Sequence, residues 1–243
     1  MKPSLSLVIP IYNEAANIER TIRVASEVLG TISSDYELIL VDDASTDETP
    51  NILARLAQGN LKIRVFRNAR NRKLGGSLKE GFSKATKDLV VYSDADLPFD
   101  FHDIERAVHV IQTVDADIVA GYRHDRTSDP WYRIVYTLAY NWLIRCIYRI
   151  RIRDVNFAFK VIKRSVLTQI HLRSEGSFIN AELLIRAQRM GFYICQIGAD
   201  YFVRRAGQST LASPRVILKI VQEMICLYPE LLVVRGKQDR GTK

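Results

Sequence analysis

The sequence predicts an α/β fold whose mostly parallel central sheet is covered by helices on both faces. Three observations lead to this prediction. Strand-like and helix-like segments alternate along the first 120 residues, without a repeat or a low-complexity tract. The strand-like segments are largely apolar, as in sheets that are buried on both faces. The chain has 243 residues, of which 47% are hydrophobic, enough for one large domain with a substantial core.

The elements follow one another at a regular rhythm. Strands are predicted at residues 5–11, 36–41, 61–66, 89–92 and 118–120. Helical spacing begins at residue 14 and continues to residue 29, and Ser45, Thr46 and Asp47 could cap a second helix. A third helix is expected to start near Gly76. Residues 131–150 indicate one long helix, and residues 214–234 indicate an apolar helix that precedes a basic tail.

The charge and the cysteines narrow the class of protein. A formal net charge of +8 favours anionic partners: nucleic acid, phosphorylated small molecules or an acidic membrane surface. Three scattered cysteines without a CxxC pair argue against a disulfide scaffold or a structural zinc site, and suit a reducing compartment. The start of the chain shows no signal-peptide pattern, and the most apolar stretch, 134–144, is shorter than the roughly 20 residues of a membrane span. We therefore expect a cytoplasmic protein, or one that is peripheral on the cytosolic face of a membrane.

Polar clusters follow three of the predicted strands. They lie at residues 10–14 (PIYNE), at Asp42 and Asp43, and at residues 93–96 (SDAD). Because ligands of open α/β sheets bind beyond the carboxyl ends of the strands, the three clusters together predict one site at one edge.

Asp94 and Asp96 are candidate ligands of Mg²⁺ or Mn²⁺. Two carboxylates separated by one residue at a strand end can both reach a hard cation, which in turn bridges to diphosphate. The alternative is a solvated turn with helix-capping acids, and the alignment with the other two clusters favours the metal site. Asp42 and Asp43 could bind a nucleobase or ribose, or could cap a helix. Tyr12 could pack against a base, or could belong to the core.

Several basic residues are candidates for binding phosphate. The loop 71–77 (NRKLGGS) enters a helix, where backbone amides and Lys73 suit an anion. Arg123 follows the fifth strand and Arg204 opens the segment RRAGQS; arginine suits a diphosphate leaving group because it stays charged and binds two oxygens. For each of them the alternative is an ordinary surface charge.

One face of the long helix combines aromatic and basic residues, namely Trp131, Leu138, Trp142, Arg145 and Arg149. This combination is typical of a helix that lies in a membrane interface. The alternative is a helix packed on the sheet with its arginines reaching into water. We favour the membrane interpretation, which the basic run at 149–153 supports.

The ordered motifs VIPIYNE (8–14), VDDASTD (41–47), NRKLGGSLKEG (71–81), SDADL (93–97), GYR (121–123) and RRAGQST (204–210) resemble family 2 of the inverting glycosyltransferases. Members of that family have the GT-A fold, a Rossmann-like α/β architecture. Within the family, the chain is most similar to dolichol- and polyprenyl-phosphate sugar synthases, which also share segments like 154–160 and 178–184. The resemblance extends from the first strand to residue 210, and the order of the motifs is more specific than any one of them.

The resemblance implies a role for each matching residue. Pro10, Tyr12, Glu14 and Asp43, with Asp42 as a further candidate, would hold the nucleoside; Asp94 and Asp96 would hold the metal and the diphosphate; Arg123 and Arg204 would bind phosphates, and together with Asp96 they are the catalytic candidates. Three positions depart from the family pattern. Lys73 replaces a glycine of a Gly-x-Gly loop, Pro98 replaces the glutamine of mannose synthases, and Ala158 replaces a glycine. These departures argue against assuming that the sugar is mannose.

The implied reaction is a metal-dependent, inverting transfer of a sugar from a GDP- or UDP-linked donor to a polyprenyl phosphate such as dolichyl or undecaprenyl phosphate, with no nucleic acid involved. A phosphate monoester, with a second pKa of about 6, is largely ionised near neutral pH and needs little help from a base. Residues 1–212 would form the catalytic domain, with a nucleotide-binding half (1–122) and an acceptor half (123–212), and residues 213–243 a helix and basic tail.

Three alternatives remain open at this point. A family 2 enzyme that glycosylates a hydroxyl needs a general base, for which Glu182 is the candidate, although Glu182 could equally be a buried structural residue. A nucleotidyltransferase also uses a parallel sheet and metal-binding acids, but the clusters at 10–14 and 41–47 count against it. A non-catalytic module would bind nucleotide sugars or acidic membranes through its charge alone.

Overall fold

The protein is described by a computed structural model of residues 3–125, 130–202 and 214–233. Seven strands form one sheet in the order β3-β2-β1-β4-β6-β5-β7. The strands are β1 (Leu5–Ile11), β2 (Tyr36–Asp42), β3 (Ile63–Arg67), β4 (Leu89–Tyr92), β5 (Ile118–Arg123), β6 (Lys160–Lys163) and β7 (Ile194–Ala199). The helices are α1 (Ile18–Ile32), α2 (Thr49–Gly59), α3 (Lys73–Lys84), α4 (Asp103–Val114), α5 (Trp131–Tyr148), α6 (Arg164–Leu167), α7 (Ile179–Arg189) and α8 (Pro214–Val233).

The predicted mostly parallel sheet is confirmed. Strand β1 pairs in parallel with β2 on one side and with β4 on the other, and β2 pairs in parallel with β3. Strand β6 is antiparallel to both of its neighbours, β4 and β5, and β7 is parallel to β5. The five predicted strands are all present. Strands β6 and β7 were not predicted, because β6 has only four residues and begins with a lysine, and β7 is only partly buried.

Two apolar cores lie on opposite faces of the sheet, so the prediction of helices on both faces is also confirmed. The first core is formed with α1, α2 and α4, and the second with α3, α5, α7 and α8. Helix α1 shows how the sequence produces this layer: Ile18, Ile22, Ala25 and Leu29 recur at helical spacing and are all buried. Burying each of the larger side chains contributes roughly 1.5–3 kcal/mol.

The two long helices predicted near residues 131–150 and 214–234 are present as α5 and α8. Helix α5 packs on the sheet side through Ile144 and Tyr148, whereas Trp131 and Trp142 are 76% and 60% exposed. The Tyr148 hydroxyl donates a hydrogen bond to the Met224 carbonyl of α8 at 2.9 Å, which places the two helices side by side. No helix of the described ranges is both long and apolar enough to cross a membrane.

A buried carboxylate, that of Glu37, connects the strands at the amino-terminal edge of the sheet. It accepts hydrogen bonds from the Ser6 hydroxyl at 2.7 Å and from both the backbone and the hydroxyl of Thr86 at 2.8 Å. It also pairs with the Arg64 guanidinium at 2.5 Å. Burial raises the pKa of Glu37, but these hydrogen bonds lower it by more, so its pKa lies below the ordinary value.

We predict that Glu37→Gln lowers the free energy of unfolding at neutral pH by about 2 kcal/mol, because charged hydrogen bonds in a buried site are lost. Since the folded-state pKa is depressed, the carboxylate stabilises the fold above the unfolded-state value of about 4.3. This stabilisation disappears as the pH falls through the folded-state pKa. Urea unfolding followed by circular dichroism, at neutral and at acidic pH, measures both effects.

The matched control is Glu19→Gln, which removes an exposed ion pair with Arg55. It should change the unfolding free energy by less than about 1 kcal/mol. Equal losses in the two variants would contradict a special role for the Glu37 network.

A candidate active site at the carboxyl edge of the sheet

The turns that follow β1 and β2 interlock through side-chain hydrogen bonds. Asn13 has a left-handed backbone (φ 54°), and its amide donates to the Ser45 hydroxyl at 3.0 Å. The Asn13 side-chain oxygen accepts from the Thr46 amide at 2.8 Å. The Glu14 amide donates to the Thr49 hydroxyl at 2.9 Å. The predicted clusters at 10–14 and 42–47 therefore form one surface, as expected from parallel pairing.

Asp42 and Asp43 are both buried within this surface. Asp42 accepts a hydrogen bond from the Ser45 amide at 2.9 Å. Asp43 accepts from the Asn68 side chain at 2.7 Å and from the Arg72 amide at 2.8 Å. These contacts hold the turn after β2 against the loop after β3. The nucleoside-binding role of Asp42 and Asp43 stays a prediction, and the geometry adds a structural role for both.

The other predicted nucleoside contacts lie on the same edge. Tyr12 is 46% exposed, so its ring is accessible to a planar ligand. Pro10 lies within β1, in register with Val41. Glu14 is nearly buried and accepts a hydrogen bond from the Asn17 side chain at 2.8 Å. Their contact with a nucleoside remains a prediction.

Asp94 and Asp96 lie in the turn after β4, beside the turns after β1 and β2. The Tyr92 hydroxyl donates to the Asp94 carboxylate at 3.0 Å. The Ala95 carbonyl accepts a hydrogen bond from Thr21 at 2.7 Å, which ties this turn to α1. Desolvation, together with the charge of Asp96, raises the pKa of Asp94 to about 7. Two partly buried carboxylates thus repel each other at the expected place.

These two carboxylates fit a divalent cation. Across residues 3–125, 130–202 and 214–233, no group of three or more His, Cys, Asp or Glu side chains is arranged to hold a metal ion by itself. Mg²⁺, however, is commonly bound through only one or two carboxylates, with substrate phosphates and water as further ligands. A cation between Asp94 and Asp96 would also relieve the repulsion that raises the Asp94 pKa. The donor set therefore suits a cation that arrives with a diphosphate.

Lys160 is a residue of this region that the analysis of single residues missed. It lies in β6, in register with Tyr92, and its side chain is fully buried. Its ammonium donates to the Phe157 carbonyl at 2.7 Å and to the Asn180 side chain at 3.0 Å. Burial lowers the pKa of Lys160 to about 8, against the opposing effects of Asp154 and Asp94. The resemblance of segment 154–160 to the family was the only sequence signal for it.

Arg123 lies at the end of β5 and forms a two-point ion pair with Asp154. Its Nε and one terminal nitrogen donate to the two Asp154 oxygens at 2.7 and 3.1 Å. The guanidinium also lies 5.2 Å from the centre of the Tyr201 ring. The pair fixes the orientation of the guanidinium, and phosphate binding by Arg123 stays a prediction. Arg204 and the segment 204–210 lie outside the described residues.

The loop 71–77 differs from its predicted role in one respect. Helix α3 starts at Lys73, near the predicted Gly76, but the amides of Gly75 and Gly76 both point to the Glu175 carbonyl, at 2.8 and 3.4 Å. The expectation that backbone amides at this helix start bind phosphate is therefore wrong for these two. Lys73 itself is exposed with a left-handed backbone (φ 60°), and the neighbouring Lys219 of α8 lowers its pKa.

Glu182, the candidate base for a hydroxyl acceptor, is fully buried. Its carboxylate accepts hydrogen bonds from the Arg173 and Ser174 amides, at 2.9 and 2.7 Å. It also pairs with Arg186 at 2.7 Å, and Arg186 in turn pairs with Glu230 of α8 at 2.6 Å. Glu182 therefore connects α7, the preceding loop and α8, and the structural interpretation of this residue is supported.

The chain belongs to glycosyl transferase family 2. The model of that family, described as "Glycosyl transferase family 2", matches residues 6–171, which is more than half of the chain and includes each of the described polar turns. The protein is accordingly a glycosyltransferase.

Similar proteins with names include Glycosyltransferase AglD of Haloferax volcanii, 35% identical over 204 residues, which are 81% of this chain and 33% of that protein. Another is Dodecaprenyl-phosphate galacturonate synthase of Rhizobium johnstonii, 28% identical over 227 residues, which are 90% of this chain and 66% of that protein. The chain thus spans about a third of the first relative and about two thirds of the second.

Solved structures of glycosyltransferases share the fold. Glucosyl-3-phosphoglycerate synthase from Mycobacterium tuberculosis, in complex with phosphoglyceric acid, aligns with a TM-score of 0.72 at 21% identity, over 97% of this chain and 82% of that one. Mannosyltransferase PcManGT from Pyrobaculum calidifontis, in complex with GDP-Man and Mn²⁺, aligns with a TM-score of 0.67 at 20% identity, over 96% and 69%. The expected GT-A architecture is confirmed.

We predict that Gly75→Ala destabilises the protein by about 1–3 kcal/mol and displaces the Lys73 loop, because an added Cβ would lie 2.4 Å from the Ser174 carbonyl oxygen. Thermal unfolding measures the loss, and protection of the 174–176 amides in hydrogen exchange reports the displacement.

Gly59→Ala is the matched control, since an added Cβ there meets nothing within 4 Å. That variant should be neutral or more stable by up to about 1 kcal/mol. If both glycines tolerated alanine equally, close packing of α3 against the 174–176 loop would not be what requires Gly75.

Proposed function

We propose that this chain transfers a sugar from a nucleotide-diphosphate sugar to a polyprenyl phosphate, with inversion and with a requirement for Mg²⁺ or Mn²⁺. The observation that carries the proposal is that Asp94 and Asp96 share one edge of the sheet with the interlocked turns after β1 and β2. This places a candidate diphosphate site beside a candidate nucleoside site.

The names of the relatives support a lipid phosphate as acceptor. One relative is a dodecaprenyl-phosphate galacturonate synthase. Another, from Enterobacter sp., is an undecaprenyl-phosphate 4-deoxy-4-formamido-L-arabinose transferase, 29% identical over 226 residues, which are 92% of this chain and 67% of that protein. The burial of Glu182 favours the same acceptor, because it removes the base candidate that a hydroxyl acceptor would need.

In this proposal an ionised oxygen of the lipid phosphate attacks the anomeric carbon. A carbon–oxygen bond to that phosphate forms while the bond to the donor diphosphate breaks, and the nucleoside diphosphate leaves. No proton has to move, because the acceptor phosphate is already ionised. A divalent cation, when bound, neutralises charge on the departing diphosphate.

The chain positions the reactants and stabilises the leaving group. Residues 1–122 bind the donor: Pro10, Tyr12, Glu14, Asp42 and Asp43 contact the nucleoside, and Asp94 and Asp96 hold the cation. Residues 123–212 bind the acceptor. The phosphate-binding residues of the proposal are Lys73, Arg123 and Arg204, whose guanidinium and ammonium groups suit phosphate oxygens.

The proposed location is the cytosolic face of a membrane, with α5 against anionic lipid. The five residues predicted for the basic aromatic face of α5 (Trp131, Leu138, Trp142, Arg145 and Arg149) are all exposed. Indole rings suit the headgroup level and arginines suit acidic lipid heads, so this face fits an interfacial helix. Residues Leu218 and Ile225 of α8, which lies beside α5, are exposed as well.

We predict that the wild-type protein moves radiolabelled sugar from one member of a panel of GDP- and UDP-sugars into a polyprenyl-phosphate fraction, and that EDTA abolishes the transfer. Asp96→Asn should lower the rate at least about 100-fold, because a charge that stabilises the leaving group is lost. Asp115→Asn, which changes an exposed carboxylate at the opposite edge of the sheet, serves as control and should be near wild type. Label that appears only in a soluble hydroxyl acceptor would refute the lipid-phosphate proposal.

We predict that replacing Trp131 and Trp142 together by serine weakens binding to anionic vesicles by about 10-fold or more, since two exposed indoles leave the interface. Co-sedimentation with vesicles that contain acidic phospholipid measures the change. The matched control replaces Leu61 and Tyr193, exposed apolar residues that precede β3 and β7, at the amino-terminal edge. Unchanged binding of the tryptophan variant would exclude this face of α5 as the docking surface.

A further inference from the structure

The two neutral partners of Lys160 leave its positive charge available to act on more distant groups. The ammonium is held by a backbone carbonyl and by an amide side chain, those of Phe157 and Asn180. The acid group nearby on the same segment, Asp154, forms its two-point ion pair with Arg123. The positive charge of Lys160 is therefore not neutralised by a contacting carboxylate at either of these bonds.

Lys160 is also placed next to the candidate metal site. Its Nζ lies 5.5 Å from the centre of the Tyr92 ring, and the hydroxyl of that ring donates to Asp94 at 3.0 Å. Asp94 is one of the groups whose charge acts on Lys160. Because Lys160 is fully buried, water screens this interaction little.

We propose that Lys160 is a positioning residue for the donor, a fixed positive charge that favours a diphosphate at the Asp94 and Asp96 site and disfavours a cation without one. The inference deepens the proposed function and rests on it, since it requires that a cation and a nucleoside diphosphate bind there.

The signs follow from the formal charges. Asp94, Asp96 and Lys160 together carry one net negative charge; a divalent cation makes the site net positive, and a diphosphate with two negative charges then binds to it. Without Lys160 the carboxylates alone carry two negative charges. The cation would then bind more tightly, but it would only neutralise the site, and the diphosphate would lose its attraction. A residue with a merely structural role would not shift the two affinities in opposite directions.

The test compares Lys160→Met with Lys163→Met. Both variants remove one lysine from β6, but Lys163 lies at the other end of the strand and pairs with Asp115 at 2.6 Å. Two quantities are measured by isothermal titration at about pH 8.5, where protons compete little with cations for the carboxylates. The first is the Kd of Mn²⁺ alone, and the second is the Kd of GDP and of UDP at saturating Mn²⁺.

For Lys160→Met we expect Mn²⁺ alone to bind roughly 10-fold more tightly, and the nucleoside diphosphate that the wild type accepts to bind roughly 10-fold more weakly, as for a buried charge several ångströms away. Lys163→Met should change neither affinity. Circular dichroism checks the fold, and Lys160→Gln, whose amide can still donate to the Phe157 carbonyl, is used if the methionine variant does not fold.

The outcomes separate the inference from the proposed function. If wild-type protein binds neither GDP nor UDP with Mn²⁺, the proposed function fails. If the wild type binds one of them but both affinities of the Lys160 variant fall together, or neither changes, the charge-setting role is overturned. Failure of both neutral variants to fold would also overturn it, because the charge would then serve folding and not the site.

Discussion

The parallel pairing of β1 between β2 and β4 is the constraint on which the rest of the structure depends. Leu5, Leu7 and Ile9 of β1 enter one core and Val8 enters the other, and all four are fully buried. A shift of one residue in this strand would exchange its faces and disrupt both cores. The register is therefore fixed by packing, and with it the edge at which the strands end. The polar turns meet there because the strands that carry them cannot slide.

The parts of the fold that the sequence predicted are those whose signal is local. A continuous apolar run that ends in acids indicates a buried parallel strand, and helical spacing with a tryptophan-rich face indicated α5. Strand β6 gives no such signal, because a lysine in the middle of a sheet looks unfavourable unless its partners are known. Those partners, the Phe157 carbonyl and Asn180, are supplied by the loop before β6 and by α7. Tertiary contacts make the buried lysine possible, and no window of sequence contains them all.

The candidate site was predicted to the same depth. The convergence of the turns at 10–14, 42–47 and 93–96 follows from strand direction, and the structure brings them together. The ion pair of Arg123 with Asp154 joins residues on different elements, and the Glu175 carbonyl that takes the Gly75 and Gly76 amides lies about one hundred positions away. A basic or glycine-rich loop signals phosphate only if its donors are unoccupied, which depends on contacts that are remote in sequence. The burial of Glu182 is of the same kind.

The left-handed residues have a consequence for how such a chain can diversify. Asn13, Ala44, Lys73 and Leu97, which follow β1, β2, β3 and β4, all have positive φ without being glycine. Such conformations cost free energy, and here the cost falls on one edge of the sheet. The opposite edge holds the Glu37 network, and the two cores lie between. Substitutions can thus accumulate in the strained turns without reaching the interactions that keep the sheet folded. An ancestral scaffold of this kind can change its sugar or its acceptor while it retains its architecture, and that separation makes the fold evolvable.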